Sequence, residues 1–213
     1  MFAHKKYVSE KHYGEYLDFL EYVPAPRCEK LPLIIYLHGA GSRGSDLSEM
    51  AEVGPIKELN NGRDLGAVIV APQCHSETWF DLFGVLTEFI DRYRRSRRVD
   101  RDRVYITGVS MGAYAVWQLC ISHPDWFAAA VPVCGSGMYW DAARLKKLPV
   151  WAFHGGLDNV VYPEESQKMV SAINRNSGCA KLTVFPQDGH NAWDSAFSSD
   201  EMWKWLFEQK RMI

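Results

Sequence analysis

Three residues of this chain have the types needed to pass an acyl group from one oxygen to another. Ser110 stands in Gly108-Val109-Ser110-Met111-Gly112. Asp158 follows His154-Gly155-Gly156-Leu157, and His190 follows Asp188-Gly189. A serine hydroxyl is a weak nucleophile on its own. It becomes effective when an imidazole takes its proton and a carboxylate fixes the imidazole's tautomer and orientation. The oxyanion formed on attack then needs two N–H donors aimed at it. The amide of Met111, next to the serine, can supply one. The glycine-rich run His38-Gly39-Ala40-Gly41 can supply the other through the amide of Ala40.

Each member has a plainer reading. Gly-x-Ser-x-Gly alone also describes an ordinary tight turn, and a glycine-rich loop can simply be a turn. The acid has competitors in Asp141, Asp188 and Asp194. Asp188 lies two residues from His190, too near in sequence to orient its ring comfortably. Of seven histidines, His4, His12 and His123 fall in exposed or helix-end contexts, and His75 falls on a loop. His38 and His154 each precede a glycine after a strand, where bracing a loop suits them better than acting as a base. His190 follows the last strand, from which it can reach across to Ser110.

These residues need a scaffold that gathers them. Leu31 to Leu37, Ala67 to Ala71, Val104 to Ile106, Phe127 to Cys134, Pro149 to His154 and Lys181 to Phe185 are short, nearly continuous apolar runs. That pattern suits strands buried on both faces of a parallel sheet. Residues 13 to 23 alternate like a partly exposed strand stopped by Pro24 and Pro26. Helical spacing predicts one helix from Ser45 or Asp46 that carries Leu47, Met50, Val53 and Ile56, must negotiate Gly54-Pro55 and ends by Asn60-Asn61-Gly62, another over 79 to 95, and one from Ala113 on. A short piece covers Asp141 to Leu148, and Pro163 opens a helix reaching Asn176. Ser198-x-x-Glu201 reads as a capping box before the final helix.

Alternating strands and helices joined by short loops predict an α/β fold: a mostly parallel sheet, helices on both faces and no large cap. In such sheets chemistry gathers at the carboxyl ends of the strands. The loops carrying Ala40, Ser110, Asp158 and His190 all follow strands. The turn at Ser110 joins a strand to a helix, as in a nucleophile elbow. Trp79, Trp193 and Tyr139 are candidate pocket walls, although aromatic rings more often belong to a core.

The rest of the composition narrows the field. The chain has 213 residues, 47% hydrophobic and 23% charged, and reads as one domain over 1–213. A net charge of −2 gives no general pull toward nucleic acid or an anionic membrane. Seven arginines lie between Arg92 and Arg103 with Tyr93 as the single aromatic among them, not the interleaving of a single-strand binder, so they read as a solvated helix end and connector. Five cysteines, an odd number without metal-ligand spacing, suit free thiols in a reducing compartment. No secretory leader or membrane-spanning run is visible, so a cytoplasmic protein is expected. No metal or organic cofactor is called for. Nothing in the sequence fixes an oligomeric state.

The four motifs, Tyr36-Leu37-His38-Gly39-Ala40-Gly41, Gly108-x-Ser110-x-Gly112, His154-Gly155-Gly156-x-Asp158 and Gly189-His190-Asn191-Ala192-Trp193, come in this order. In this the chain resembles the serine esterases of the α/β-hydrolase fold. Its closest likeness is to the prolyl-oligopeptidase-related, phospholipase/carboxylesterase and feruloyl-esterase-like groups. The likeness runs from about residue 13 to 209. It implies Ser110 as nucleophile, Asp158 as acid, His190 as base, and Ala40 with Met111 as oxyanion donors. It also implies a small-molecule ester as substrate. Ala113 departs from the second glycine many relatives have there. A serine peptidase and a silent, ligand-binding scaffold are the alternatives, with another acyl hydrolase or an acyltransferase of the same fold beside them. The first usually carries a gating domain, and the second usually lacks a member of the triad.

Overall fold

The computed structural model describes residues 2–25 and 29–211. Pro26 and Cys28 lie outside the described residues. The sheet has eight strands: β1 (Ala3–Val8), β2 (Tyr16–Tyr22), β3 (Leu31–Leu37), β4 (Val68–Pro72), β5 (Val99–Val109), β6 (Ala129–Val133), β7 (Val150–Gly155) and β8 (Ala180–Phe185). Their order across the sheet is β1-β2-β4-β3-β5-β6-β7-β8. β1 and β2 pair antiparallel, β2 joins β4 antiparallel, and every later pairing is parallel. This is the mostly parallel α/β arrangement the apolar runs predict.

Strand pleating sends alternate side chains to opposite faces, and the core divides accordingly. Leu33, Ile35 and Leu37 join Phe89, Trp117, Ile121 and Met169 on one face. That face is covered by α2 (Phe83–Arg94), α3 (Met111–Ser122) and α4 (Pro163–Arg175). Ile34 and Tyr36 join Ile56, Phe197, Met202 and Leu206 on the other. There the cover is α1 (Gly54–Asn60), α5 (Trp193–Ser198) and α6 (Asp200–Glu208). Helices thus flank both faces. Among the described residues no helix is long and apolar enough to cross a membrane.

Several boundaries differ from expectation. The helix expected from Ser45 or Asp46 to about Asn60 ends where expected but is two pieces, a 3-10 turn over Leu47–Met50 and α1. Gly54 interrupts them with φ of +70°, a left-handed conformation that breaks a continuous helix. α2 begins at Phe83, not 79, so Trp79 and Leu82 precede it. The final cap is Ser199, whose hydroxyl accepts the Met202 amide at 3.2 Å, one residue beyond the expected Ser198. The arginine-rich stretch is largely engaged on the surface: Arg94 and Arg95 pair with Asp91, and Arg103 with Asp100.

Candidate active site

The turn between β5 and α3 places Ser110 on an unusual backbone. Its φ is 51° and its ψ is −120°, a region that costs a residue with a Cβ roughly 1–3 kcal/mol. The surroundings enforce it. The Ser110 amide donates to the Val133 carbonyl of β6 at 2.9 Å. A Cβ at Gly112 would lie 2.0 Å from the Leu37 carbonyl oxygen, and one at Gly108 would lie 2.8 Å from the backbone of Gly112. Only glycine at both positions lets α3 start so close to the end of β3. The first helical amides have no partner within the helix, so the Met111 N–H opens beside the serine.

The carboxyl ends of β7 and β8 supply the partners. His190 Nε2 is 2.8 Å from Ser110 Oγ, and His190 Nδ1 is 2.7 Å from Asp158 Oδ2. The Trp193 ring stands edge-on to the imidazole, with centroids 5.4 Å apart. The Asp158 carboxylate is fully buried. Its Oδ1 accepts the amides of Val160 at 3.0 Å and Val161 at 2.9 Å. Burial works to raise this carboxyl's pKa, but the hydrogen bonds from His190, Val161 and Val160 outweigh it and hold the group below the usual carboxylate range. The carboxylate therefore stays ionised although it is enclosed.

The competing acids are elsewhere. Asp188 accepts a hydrogen bond from the Ser195 hydroxyl, and Asp194 pairs with Lys57 at 2.7 Å. Asp141 lies in a 3-10 turn over Tyr139–Leu145.

The glycine-rich loop after β3 approaches the serine closely. A Cβ at Gly39 would lie 3.4 Å from Ser110 Cβ, in ordinary contact. Ala40 begins a 3-10 turn over Ala40–Ser42, with Gly39 as its cap. Ala40, Ser110, Asp158 and His190 therefore gather at one edge of the sheet.

The aromatic expectations fare unevenly. Trp79 is not a pocket wall: it is completely buried. Its indole N–H donates to the His38 carbonyl at 3.0 Å, and its ring packs on the His38 imidazole. A buried Trp must satisfy its N–H, and a strand-end carbonyl meets that need here. Tyr139 is 51% exposed and packs edge-on against Trp140, itself 71% exposed. Leu157, Val160 and Tyr162, on the loop that carries Asp158, are also exposed. A cleft of about 640 Å3 lined by Lys5, Tyr7, Phe19, Arg92, Arg97 and Val99 includes none of the Ser110, Asp158 and His190 group.

Cys134, which the sequence shows only as the end of an apolar run, sits beside Asp158. Cys134 Sγ, a ring nitrogen of His154 and an Asp158 oxygen lie within 4.8 Å of one another, all buried. Such a set could in principle ligate a metal. The atoms are already engaged, however. His154 Nδ1 is 2.7 Å from Ser166 Oγ, and Nε2 is 2.9 Å from the Val161 carbonyl. Burial, with the nearby Asp158 carboxylate, pushes the Cys134 thiol up to about 12. Cys74, Cys120, Cys134 and Cys179 are all free.

The structure of a thermostable esterase superposes with a TM-score of 0.81 at 27% identity, covering 99% of this chain and 63% of that one. The chain is 24% identical over 133 residues to poly(3-hydroxyalkanoate) depolymerase C of Paucimonas lemoignei, covering 56% of this chain and 31% of that protein. It is 23% identical over 159 residues to the bifunctional acetylxylan esterase/xylanase of Neocallimastix patriciarum, covering 71% of this chain and 23% of that protein. It thus spans a third or less of the curated relatives it matches. The dienelactone hydrolase family model matches residues 73–201, a stretch that takes in Ser110, Asp158 and His190. That match covers more than half of the chain, which therefore belongs to the dienelactone hydrolase family.

Proposed function

We propose that the chain is a serine carboxylic ester hydrolase that works through an acyl-enzyme on Ser110. The observation that carries this reading is the unbroken relay from Ser110 Oγ to His190 Nε2 at 2.8 Å and from His190 Nδ1 to Asp158 Oδ2 at 2.7 Å. Family membership and the depolymerase and esterase names of the curated relatives point to the same bond class.

The steps follow from the positions. His190 Nε2 takes the Ser110 proton as Oγ bonds to the ester carbonyl carbon. The carbonyl electrons move onto oxygen, where the amides of Ala40 and Met111 stabilise them. The intermediate collapses, the C–O bond to the alcohol breaks, and His190 returns the proton to the leaving alkoxide. Water then attacks the acyl-enzyme, with His190 again as base, and releases the acid. Asp158 keeps its charge throughout and stabilises the imidazolium.

The chain acts as one catalytic domain over 1–213. Its substrates are small to medium soluble esters, which would meet the exposed Leu157, Val160 and Tyr162 on the loop that carries Asp158. Its free cysteines favour a reducing, cytoplasmic setting.

The test is a fluorophosphonate probe together with short-chain p-nitrophenyl esters. The expected result is ester turnover and labelling of Ser110, both lost in Ser110→Ala. An intact chain with neither turnover nor labelling refutes the reading. Cleavage of N-blocked peptide amides as fast as esters would replace it with a peptidase.

A further inference from the structure

His38 is buried, with 1% of its surface exposed, and does not reach the Ser110 proton. Its partners nonetheless fix its state. The Cys74 amide donates to His38 Nε2 at 2.9 Å. A backbone N–H can only donate, so Nε2 must be the bare nitrogen. The neutral ring then carries its proton on Nδ1. That N–H points at the Gly39 carbonyl, 2.6 Å away, which can only accept. The Ser42 amide supplies a second donor to the same oxygen at 3.2 Å.

The Gly39 carbonyl and the Ala40 N–H belong to one peptide unit. A trans peptide is planar, and its C=O and N–H point in opposite directions. Holding the oxygen on one side therefore aims the hydrogen to the other. Gly39 borders Ser110: a Cβ added to it would lie 3.4 Å from Ser110 Cβ.

The clamp is itself braced. Trp79 holds the His38 carbonyl at 3.0 Å and covers its ring. The side-chain amide of Gln73 ties the carbonyls of Ser42 and Asp46 at 3.0 Å and 2.7 Å, and the Gly44 amide ties Cys74 at 2.9 Å. The loop after β4 thus fastens the loop after β3.

We propose that His38 is a positioning residue: its Nδ1–H grips the Gly39 carbonyl and so aims the Ala40 N–H at the oxyanion formed on the substrate. This rests on the ester-hydrolase reading of Ser110. It assigns the motif histidine a task in transition-state stabilisation, carried out through the backbone.

Two substitutions divide the ring's functions. His38→Gln places an amide oxygen near Nε2 to accept from Cys74 but leaves nothing at Nδ1. His38→Asn places an amide N–H near Nδ1 but leaves Cys74 without its acceptor. One oxyanion donor is worth about 100- to 1,000-fold in kcat, so a misaimed one should cost on the order of 10- to 100-fold. In His38→Gln, kcat on p-nitrophenyl acetate is expected to fall by that factor while KM changes less than about two-fold. Affinity for an aryl trifluoromethyl ketone, whose adduct on Ser110 carries the oxyanion, should fall in parallel with kcat/KM. His38→Asn should recover most of the loss.

A His38→Gln protein with wild-type kcat overturns the proposal. So does a loss not matched in ketone affinity, or a His38→Asn protein no better than His38→Gln. Wild-type protein that neither turns over esters nor labels at Ser110 refutes the hydrolase reading itself, and the proposal with it. If neither variant folds, imidazole nitrogen NMR of the intact protein decides: protonation at Nδ1 supports the proposal and protonation at Nε2 overturns it.

Discussion

The same ring should make stability depend on pH in a way that can be worked from the structure. Burial pushes the His38 pKa down to about 4. The Gly39 carbonyl opposes this in part, and Arg43 adds a smaller downward push. The unfolded chain holds its histidines near pH 6.5. The folded value is the lower one, so the unfolded state binds the proton first as pH falls. The stability owed to neutral His38 is therefore complete above about pH 6.5 and drains away as pH drops toward 4. With those two values, the linkage relation gives a loss of about 2 kcal/mol near pH 5 and about 3 kcal/mol near pH 4, against almost nothing near pH 7.5.

Urea denaturation of wild type and His38→Gln, near pH 7.5 and near pH 5, isolates this contribution. Other carboxylates and histidines titrate in both proteins and cancel in the comparison. Near pH 7.5 wild type should be the more stable, by the hydrogen bond to Gly39 and the packing under Trp79. Near pH 5 that advantage should shrink by about 2 kcal/mol, because glutamine does not titrate. A gap between the two proteins that stays constant to within about 0.5 kcal/mol would mean that His38 is not held neutral, and the tautomer argument would go with it.

Three further outcomes follow from other contacts. Gly112→Ala puts a Cβ 2.0 Å from the Leu37 carbonyl oxygen, backbone that cannot rotate away; a loss of several kcal/mol in urea unfolding and of nearly all turnover is expected. Asp158→Asn should reduce kcat by about 10,000-fold by favouring the wrong tautomer of His190, whereas Asp188→Asn, whose carboxylate meets Ser195, should reduce it by less than about ten-fold; the reverse order in a p-nitrophenyl ester assay would move the acid to Asp188. Trp79→Phe removes the N–H on the buried His38 carbonyl and should cost about 1–3 kcal/mol in thermal or urea unfolding, without altering the rim where substrate arrives.

The sheet was legible because parallel strands are buried on both faces and so appear as unbroken apolar runs. Leu31–Leu37 is buried at every position. β1 was not legible for the opposite reason. Of its six residues only Tyr7 is buried, and Lys5 and Lys6 face Glu21 and Asp18 across the hairpin. An edge strand held by such pairs shows no apolar period. Periodicity runs the helix around Met50 unbroken into α1, because it does not register the left-handed backbone of Gly54. One geometric rule, that loops following parallel strands share an edge, is enough to group Ser110, Asp158 and His190 from the sequence. Trp79 was misplaced because the sequence shows a ring near a loop but not the carbonyl its N–H must reach.

The strand-end histidines show where such reading stops. His38, His154 and His190 all lie at or just beyond the carboxyl end of a strand, and the chain offers nothing to rank their chemistry except position. Their hydrogen-bond partners separate them. His38 accepts at Nε2, so its proton sits on Nδ1. His154 Nε2 faces only acceptors, the Val161 carbonyl at 2.9 Å and Asp158 Oδ2 at 3.3 Å, so its proton sits on Nε2. His190 gives its Nδ1–H to Asp158, and its Nε2 faces the Ser110 hydroxyl, which has a proton to give. One ring aims a peptide, one braces the acid's loop, and one can accept a proton. The assignments of His38 and His190 depend on hydrogen bonds from another strand's loop, and strand order rather than local sequence decides which loop that is; His154 is fixed by the loop of its own strand, through Val161 and Asp158.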